Sequence, residues 1–244
     1  MEYVILILVT FISSLVHGAT GFGFAIIAAP LLSFFIPVKK TIAVVLILIL
    51  LFTLQMTFRL RKHINLRLIA LPLGASMVGR IIGVFFLMHI DVNIFRLMWG
   101  IILILFSVYF AFFNQRIRIR PTIANGLVAG GLSGLVGGMF NTGGPPMVIY
   151  FFSCGTNKQE YSAALQFSFA VGSMVNFVMH IIYGNIDGYV LRFVAVALTA
   201  ALAGSWIGLH LFEKISKELL IRLIYALMVV MGVMQVVKAL TSAG

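Results

Sequence analysis

Acidic residues are scarce in this 244-residue chain, which carries six Asp and Glu against 17 Lys and Arg. All six acids (Glu2, Asp91, Glu160, Asp187, Glu213, Glu218) are terminal or lie between long apolar runs. No carboxylate is therefore available at membrane depth, where ionisable groups of ion and proton pathways are found. Cysteine is reduced to Cys154, so no internal disulfide can form, and its place at the end of an apolar run suits an inert buried thiol. The cysteine and histidines show no metal-ligand spacing, and there is no HExxH and no G-x-S-x-G elbow. Gly21-Phe22-Gly23 follows no strand, which removes a dinucleotide fingerprint. No catalytic residue, metal or cofactor is expected. The net charge of +11 does not imply nucleic acid, because the cations are dealt out to short loops between apolar runs, as in membrane proteins.

Apolar residues fill the rest: 62% of the chain is hydrophobic and the mean hydropathy is +1.15. Runs of about 20 residues, the length that crosses a bilayer, lie near Thr41–Phe58, Leu68–Met88, Phe95–Phe113, Tyr161–Tyr183, Val190–Phe212 and Leu219–Val237. The expected fold is an all-α, multi-pass membrane protein with little mass outside the bilayer. The N-terminus does not read as a cleaved signal peptide, since Glu2 stands where positive charge belongs and the apolar run continues past any cleavage site.

Two further stretches are too long for single spans. Tyr3–Pro37 is interrupted by His17-Gly18-Ala19-Thr20-Gly21-Phe22-Gly23, and Ile123–Ser153 by Gly137-Gly138-Met139-Phe140-Asn141-Thr142-Gly143-Gly144-Pro145-Pro146. A straight helix over the first would extend about 50 Å, against a hydrocarbon core of about 30 Å. Broken backbone at that depth must be buried in protein or line a cavity, and a matched pair of such breaks points to a transporter's binding site. Asn141-Thr142 ahead of Pro145-Pro146 predicts a helix start, and Thr20–Gly23 predicts a looser one before Phe24–Leu32. Each would aim free N–H groups and partial positive charge at the membrane interior, an arrangement that attracts anions. The alternative is a kinked helix filled by its neighbours.

The chain repeats itself. Leu15-Val16-His17-Gly18 matches Leu135-Val136-Gly137-Gly138; Gln55 and Arg59 match Asn176 and His180; Gly79–Gly83 matches Gly204–Gly208. The offset drifts from 120 at Leu15/Leu135 to 126 at Arg96/Arg222, so two repeats are expected, 1–115 and 121–244, in one integrated membrane domain. The polar stretch Asn114–Pro121 divides them. With full crossing by both broken segments, the two faces carry 9 and 7 Lys and Arg; with re-entrant hairpins, 11 and 5. The second split obeys the positive-inside rule and favours inverted repeats with both termini outside. Glycines four apart, as at Gly79/Gly83, Gly204/Gly208 and Gly130/Gly134/Gly138, predict close helix packing.

Arg80 is the residue to explain. It falls near the middle of its span, roughly 12 Å of helix from the nearer end, and costs on the order of 3 kcal/mol there. No fixed carboxylate can compensate it, so an anionic substrate is expected to do so; backbone carbonyls at a break are the alternative. His17, beside the first break, is the candidate for proton coupling, or simply bonds the loop backbone. Gln55, Asn176 and His180 form a further polar set, facing substrate oxygens or each other. Arg59 reads as an interface anchor.

The glycine-rich motif Gly18–Gly23 with Pro30-Leu31-Leu32, and its echo Gly137–Pro146, resemble the sulfite exporter TauE/SafE family over nearly the whole chain. That resemblance implies movement of small sulfur-containing anions, such as sulfite or organosulfonates, across a bacterial inner membrane. His17 and Phe22 stand where a more glycine-rich stretch is common in that family.

The sequence thus leads to an expectation: a secondary transporter of a small anion, working by alternating access in the lipid bilayer. Substrate is expected between the two breaks, met by Arg80, Thr20, Gly21, Gly23, Asn141, Thr142, Gly143, Gly144, Gln55 and Asn176. A homodimer is allowed. The rival readings are an anion channel and an accessory or scaffold subunit without flux.

Overall fold

A computed structural model describes residues 2–20, 23–113, 119–211 and 217–242. The described residues are helical: α1 Glu2–Thr20, α2 Phe24–Leu32, α3 Val38–Leu60, α4 Leu66–His89, α5 Val92–Phe113, α6 Ile123–Phe140, α7 Gly144–Ser153, α8 Lys158–Ile182, α9 Gly188–Leu211 and α10 Lys217–Thr241. Among the described residues seven helices are long and apolar enough to cross a membrane, and Glu2–Gly18 of α1 is a shorter apolar helix. Large apolar side chains such as Ile81, Ile82, Phe85 and Phe86 of α4 are exposed, while Arg80 of the same helix is buried. A helix apolar all round with its polar group turned inward is built for lipid rather than water.

The scarce acids act as helix starters. Asp91 accepts from the backbone N–H of Asn93 (2.8 Å) and Ile94 ahead of α5, and Asp187 from that of Val190 (3.0 Å) ahead of α9. Glu2 and Glu160 lie in the first turns of α1 and α8. Negative charge there complements the helix dipole and satisfies orphan N–H groups. Asn157 caps α8 and Thr122 caps α6 in the same way without charge.

Contacts group the helices into two units, each drawing on both sequence halves. One comprises Met1–Val45, Ile90–Asn114 and Ile186–Gly244; the other comprises Leu46–His89 and Gln115–Asn185. In the first, α1 packs on α9 and α2, and α5 packs on α10 around the fully buried Phe95 and Trp99. Arg96 is buried there too: it donates to Gln235 Oε1 (2.8 Å), to the Ser33 carbonyl (2.6 Å) and to Ser33 Oγ. The C-terminal end of α2 supplies those carbonyl dipoles, which is where a helix welcomes a cation.

In the second unit α4 packs on α6 and α8, and α7 on α6 and α8, over a core of Ile69, Ala129, Met147, Tyr150, Phe151, Ala164 and Leu165. Glycine makes the α4–α6 contact. A Cβ added at Gly79, Gly83, Gly134 or Gly138 would collide with the backbone carbonyl oxygen of Gly131, Leu135, Ser76 or Arg80 respectively. The first unit contains three of these four contacts at matching positions. Gly204 meets the Phe11 carbonyl, Gly208 that of Leu15, and Gly18 that of Ser205. Backbone-to-backbone packing of this kind is what holds helices together in lipid.

The expected broken segments are present, with one adjustment. The leading pieces α1 and α6, at 19 and 18 residues, reach about 27 Å and nearly span the hydrocarbon; only α2 and α7 are half-length. The breaks therefore follow full-length helices instead of bisecting a span. At the second break the chain turns back on itself. Asn141 adopts a left-handed φ of 55°, tolerable for asparagine, and Gly143 packs so tightly on Gly137 that a Cβ would not fit. Ser133 Oγ donates to the Gly143 carbonyl. Farther on, the Tyr150 side chain approaches Gly126, and the Ile119 N–H donates to Ser153 Oγ (3.0 Å). α6 and α7 thus form an antiparallel hairpin whose two ends lie together.

Candidate functional site

Arg80 is the fifteenth of the 24 residues of α4, about 13 Å from its nearer end, and is 4% exposed. It makes no hydrogen bond and no ion pair with any described residue, and its Nε is sealed from solvent. The ion pair found among the described residues, Lys40–Asp187 at 2.9 Å, belongs to the other unit. Two glycines make the space for the guanidinium. A Cβ at Gly137 of α6 would lie 3.1 Å from Arg80 Cζ, and one at Gly172 of α8 would collide with Nε. The cation is therefore held in a slot between α6 and α8 whose walls are bare backbone.

One turn beyond Gly172, fully buried Asn176 closes the slot. Its Nδ2 donates to the Gly137 carbonyl (2.9 Å) and to Asn141 Oδ1 (3.2 Å). The Gly137 carbonyl also accepts from the Asn141 N–H (3.1 Å), so both of its lone pairs are engaged. Because a carbonyl can only accept, this contact fixes which end of the Asn176 amide is nitrogen. Asn176 Oδ1 then bonds to no described group, and neither does the hydroxyl of Thr142, which is 4% exposed at the turn. Buried polar atoms in this state cost about 1–3 kcal/mol each, and native proteins keep few of them.

Of the residues singled out from sequence, the structure thus gathers Arg80, Asn141, Thr142, Gly143 and Asn176 around Gly137. Gly144 opens α7, but its neighbours Pro145 and Pro146 have no N–H, so the first turn offers fewer donors than a helix start of ordinary composition. Gln55 is exposed on α3 and forms no hydrogen bond with these groups, although its repeat counterpart Asn176 is central. His17 and Gly23 belong to the other unit. His17 is buried at the end of α1 with its ring edge-on to Phe24 at 6.5 Å, and Gly23 precedes α2 with a φ of 103°. Such a φ strains any residue with a side chain. Gly21 and the side chain of Thr20 lie outside the described residues, as does most of the Asn114–Pro121 boundary.

The slot walls Gly137 and Gly172 escaped the sequence reading as site residues. A signal was present: Ser168, Gly172, Asn176 and His180 recur every fourth residue along α8, all buried. Ser168 Oγ and His180 Nε2 also lack a partner among the described residues, while Asn185 Nδ2 lies 2.8 Å from His180 Nδ1. A polar row on an otherwise apolar membrane helix marks a face that does not meet lipid.

The family model described as "Sulfite exporter TauE/SafE" matches residues 6–234. No curated protein and no solved structure matches the chain.

Proposed function

Since the chain belongs to the sulfite exporter TauE/SafE family, a family of multi-pass membrane permeases, we propose that it is a secondary transporter of a small anion, sulfite or an organosulfonate, with Arg80 as the group that receives the charge. The observation that supports this is the state of Arg80: a guanidinium buried at depth in α4, without a carboxylate or other partner among the described residues, in a slot lined by two glycines. A buried cation normally carries its counter-charge with it. Asp91 and Asp187 are engaged at helix starts and Glu2 and Glu160 lie in first turns, so no described carboxylate serves Arg80 and a mobile anion is the source we assign. Thr142 and Asn176 present further polar atoms to the same place, and the N-terminus of α7 adds a favourable dipole.

The mechanism we propose is alternating access in the inner membrane, with binding at Arg80 neutralising a charge that otherwise resists movement through lipid. His17 is the group assigned to proton coupling, where a proton gradient drives transport. The test is flux in proteoliposomes. Arg80→Ala should abolish sulfite or sulfonate movement while the protein remains monodisperse and folded. Undiminished flux in that variant would remove the assignment. Saturable flux with counter-transport identifies a carrier, unitary conductance a channel, and neither binding nor flux an accessory subunit.

A further inference from the structure

Resting on the anion site proposed above, we infer that its ligand is an anion that also carries its own O–H or N–H donor, such as a hydrogen oxyanion or a hydroxy- or amino-sulfonate. The inference comes from the unpartnered atoms around Gly137. Arg80 Nε is a donor and suits an oxyanion oxygen. Asn176 is different. Its Nδ2 is committed to the Gly137 carbonyl at 2.9 Å and to Asn141 Oδ1 at 3.2 Å, which leaves its Oδ1 as a fully buried, unpartnered acceptor. The amide cannot rotate to offer its nitrogen instead, because that would set its oxygen against the carbonyl of Gly137.

The two side chains share one small region, since the guanidinium lies against Gly137 and the amide bonds that residue's carbonyl. An anion there that has only lone pairs satisfies Arg80 and leaves the Asn176 oxygen facing like partial charge. An anion with one hydrogen on oxygen or nitrogen satisfies both. The Thr142 hydroxyl, buried and free, donates or accepts as required and so does not alter the preference. Sites built to bond a ligand hydroxyl discriminate steeply against the analogue without it, because the buried partner is then left unpaired.

The inference is tested with two small monoanions of the same tetrahedral shape, methanesulfonate and hydrogen methylphosphonate. They differ in that only the phosphonate keeps an O–H at mildly acidic pH. Calorimetric titration of the purified full-length chain in lipid nanodiscs should show the phosphonate bound about tenfold or more tighter. In Asn176→Ala that preference should disappear while Arg80-dependent binding of either anion persists. Equal affinity in the unsubstituted protein, or tighter binding of the sulfonate, would overturn the donor requirement and leave the anion site standing. Binding of neither would overturn both. The comparison in the unsubstituted protein decides the matter even where the variant fails to fold.

Discussion

The Arg80 guanidinium lies against the bare Cα of Gly172, so close that a methyl group there would occupy the position of Nε. The obstructed atom is at the far end of a flexible side chain, not in a packed backbone. Gly172→Ala should therefore displace Arg80 and leave the helices in place. The expected result is flux reduced as severely as in Arg80→Ala, with a melting temperature close to that of the unsubstituted protein. Normal flux in Gly172→Ala would show that the position of the guanidinium does not matter.

Gly131 and Gly134 are one turn apart on α6 and should respond oppositely to alanine. A Cβ at Gly131 meets nothing within 4 Å, while one at Gly134 collides with the Ser76 backbone. Gly134→Ala should cost about 1–3 kcal/mol of stability, by overpacking. Gly131→Ala should be neutral or stabilising by up to about 1 kcal/mol. Thermal melts followed by size-exclusion chromatography in one detergent measure both.

Gln235 should behave as a tie between α10, α5 and the end of α2. Its Oε1 accepts from Arg96, and its Nε2 donates to the Pro30 carbonyl (3.0 Å) and Ser33 Oγ (2.8 Å). Gln235→Leu removes one bond from each of three buried groups that keep a further partner (Arg96 and Pro30 on Ser33), and should destabilise by about 1 kcal/mol or more, in line with about 0.5–1.5 kcal/mol net per hydrogen bond. Unchanged melting would mean that Arg96 readily finds other partners.

Asp187 gives a pH dependence outside the apolar spans. The Val190 N–H first, and Lys40 second, hold its carboxyl below the usual carboxylate range. A depressed folded-state value stabilises the fold above the unfolded value, about pH 3.9, and that contribution fades as pH falls through the folded value. Asp187→Asn should lower the melting temperature slightly at neutral pH and make no difference at strongly acidic pH. A gap that persists or widens in acid would contradict the sign.

Cysteines introduced at Arg120 and Thr156, in a Cys154→Ser background, should label from the same side of the membrane with an impermeant maleimide. They flank the α6–α7 hairpin, whose ends are joined by the Ile119–Ser153 bond. Labelling from opposite sides would mean that α7 completes a crossing.

Local chemistry was the legible part of this molecule. Proline after Asn141-Thr142 and the glycines before Phe24 marked where α7 and α2 begin, because backbone dihedrals depend on near neighbours. The four-residue glycine spacing foretold close packing, but not that α4 would choose α6. Gln55 and Asn176 occupy matching places in the repeat, yet one is exposed and the other fully buried. Their surroundings come from helices far along the chain, which local pattern does not encode. Arg96 shows in sequence only as a match to Arg222, whereas Ser33 and Gln235, 63 and 139 residues away, surround it. Gly172 stood in the four-residue polar row of α8, but its role as a slot wall is defined by a side chain on another helix.

The exchange of helices between the sequence halves sets an order of synthesis. The unit containing α4, α6, α7 and α8 has all of its residues once Asn185 has been translated. By contrast, α1 and α5 are made before α9 and α10, the helices they pack on. Truncation after Asn185 would thus spare the compartment around Arg80 and leave α1 and α5 without α9 and α10, their packing faces open to lipid or to quality-control proteases.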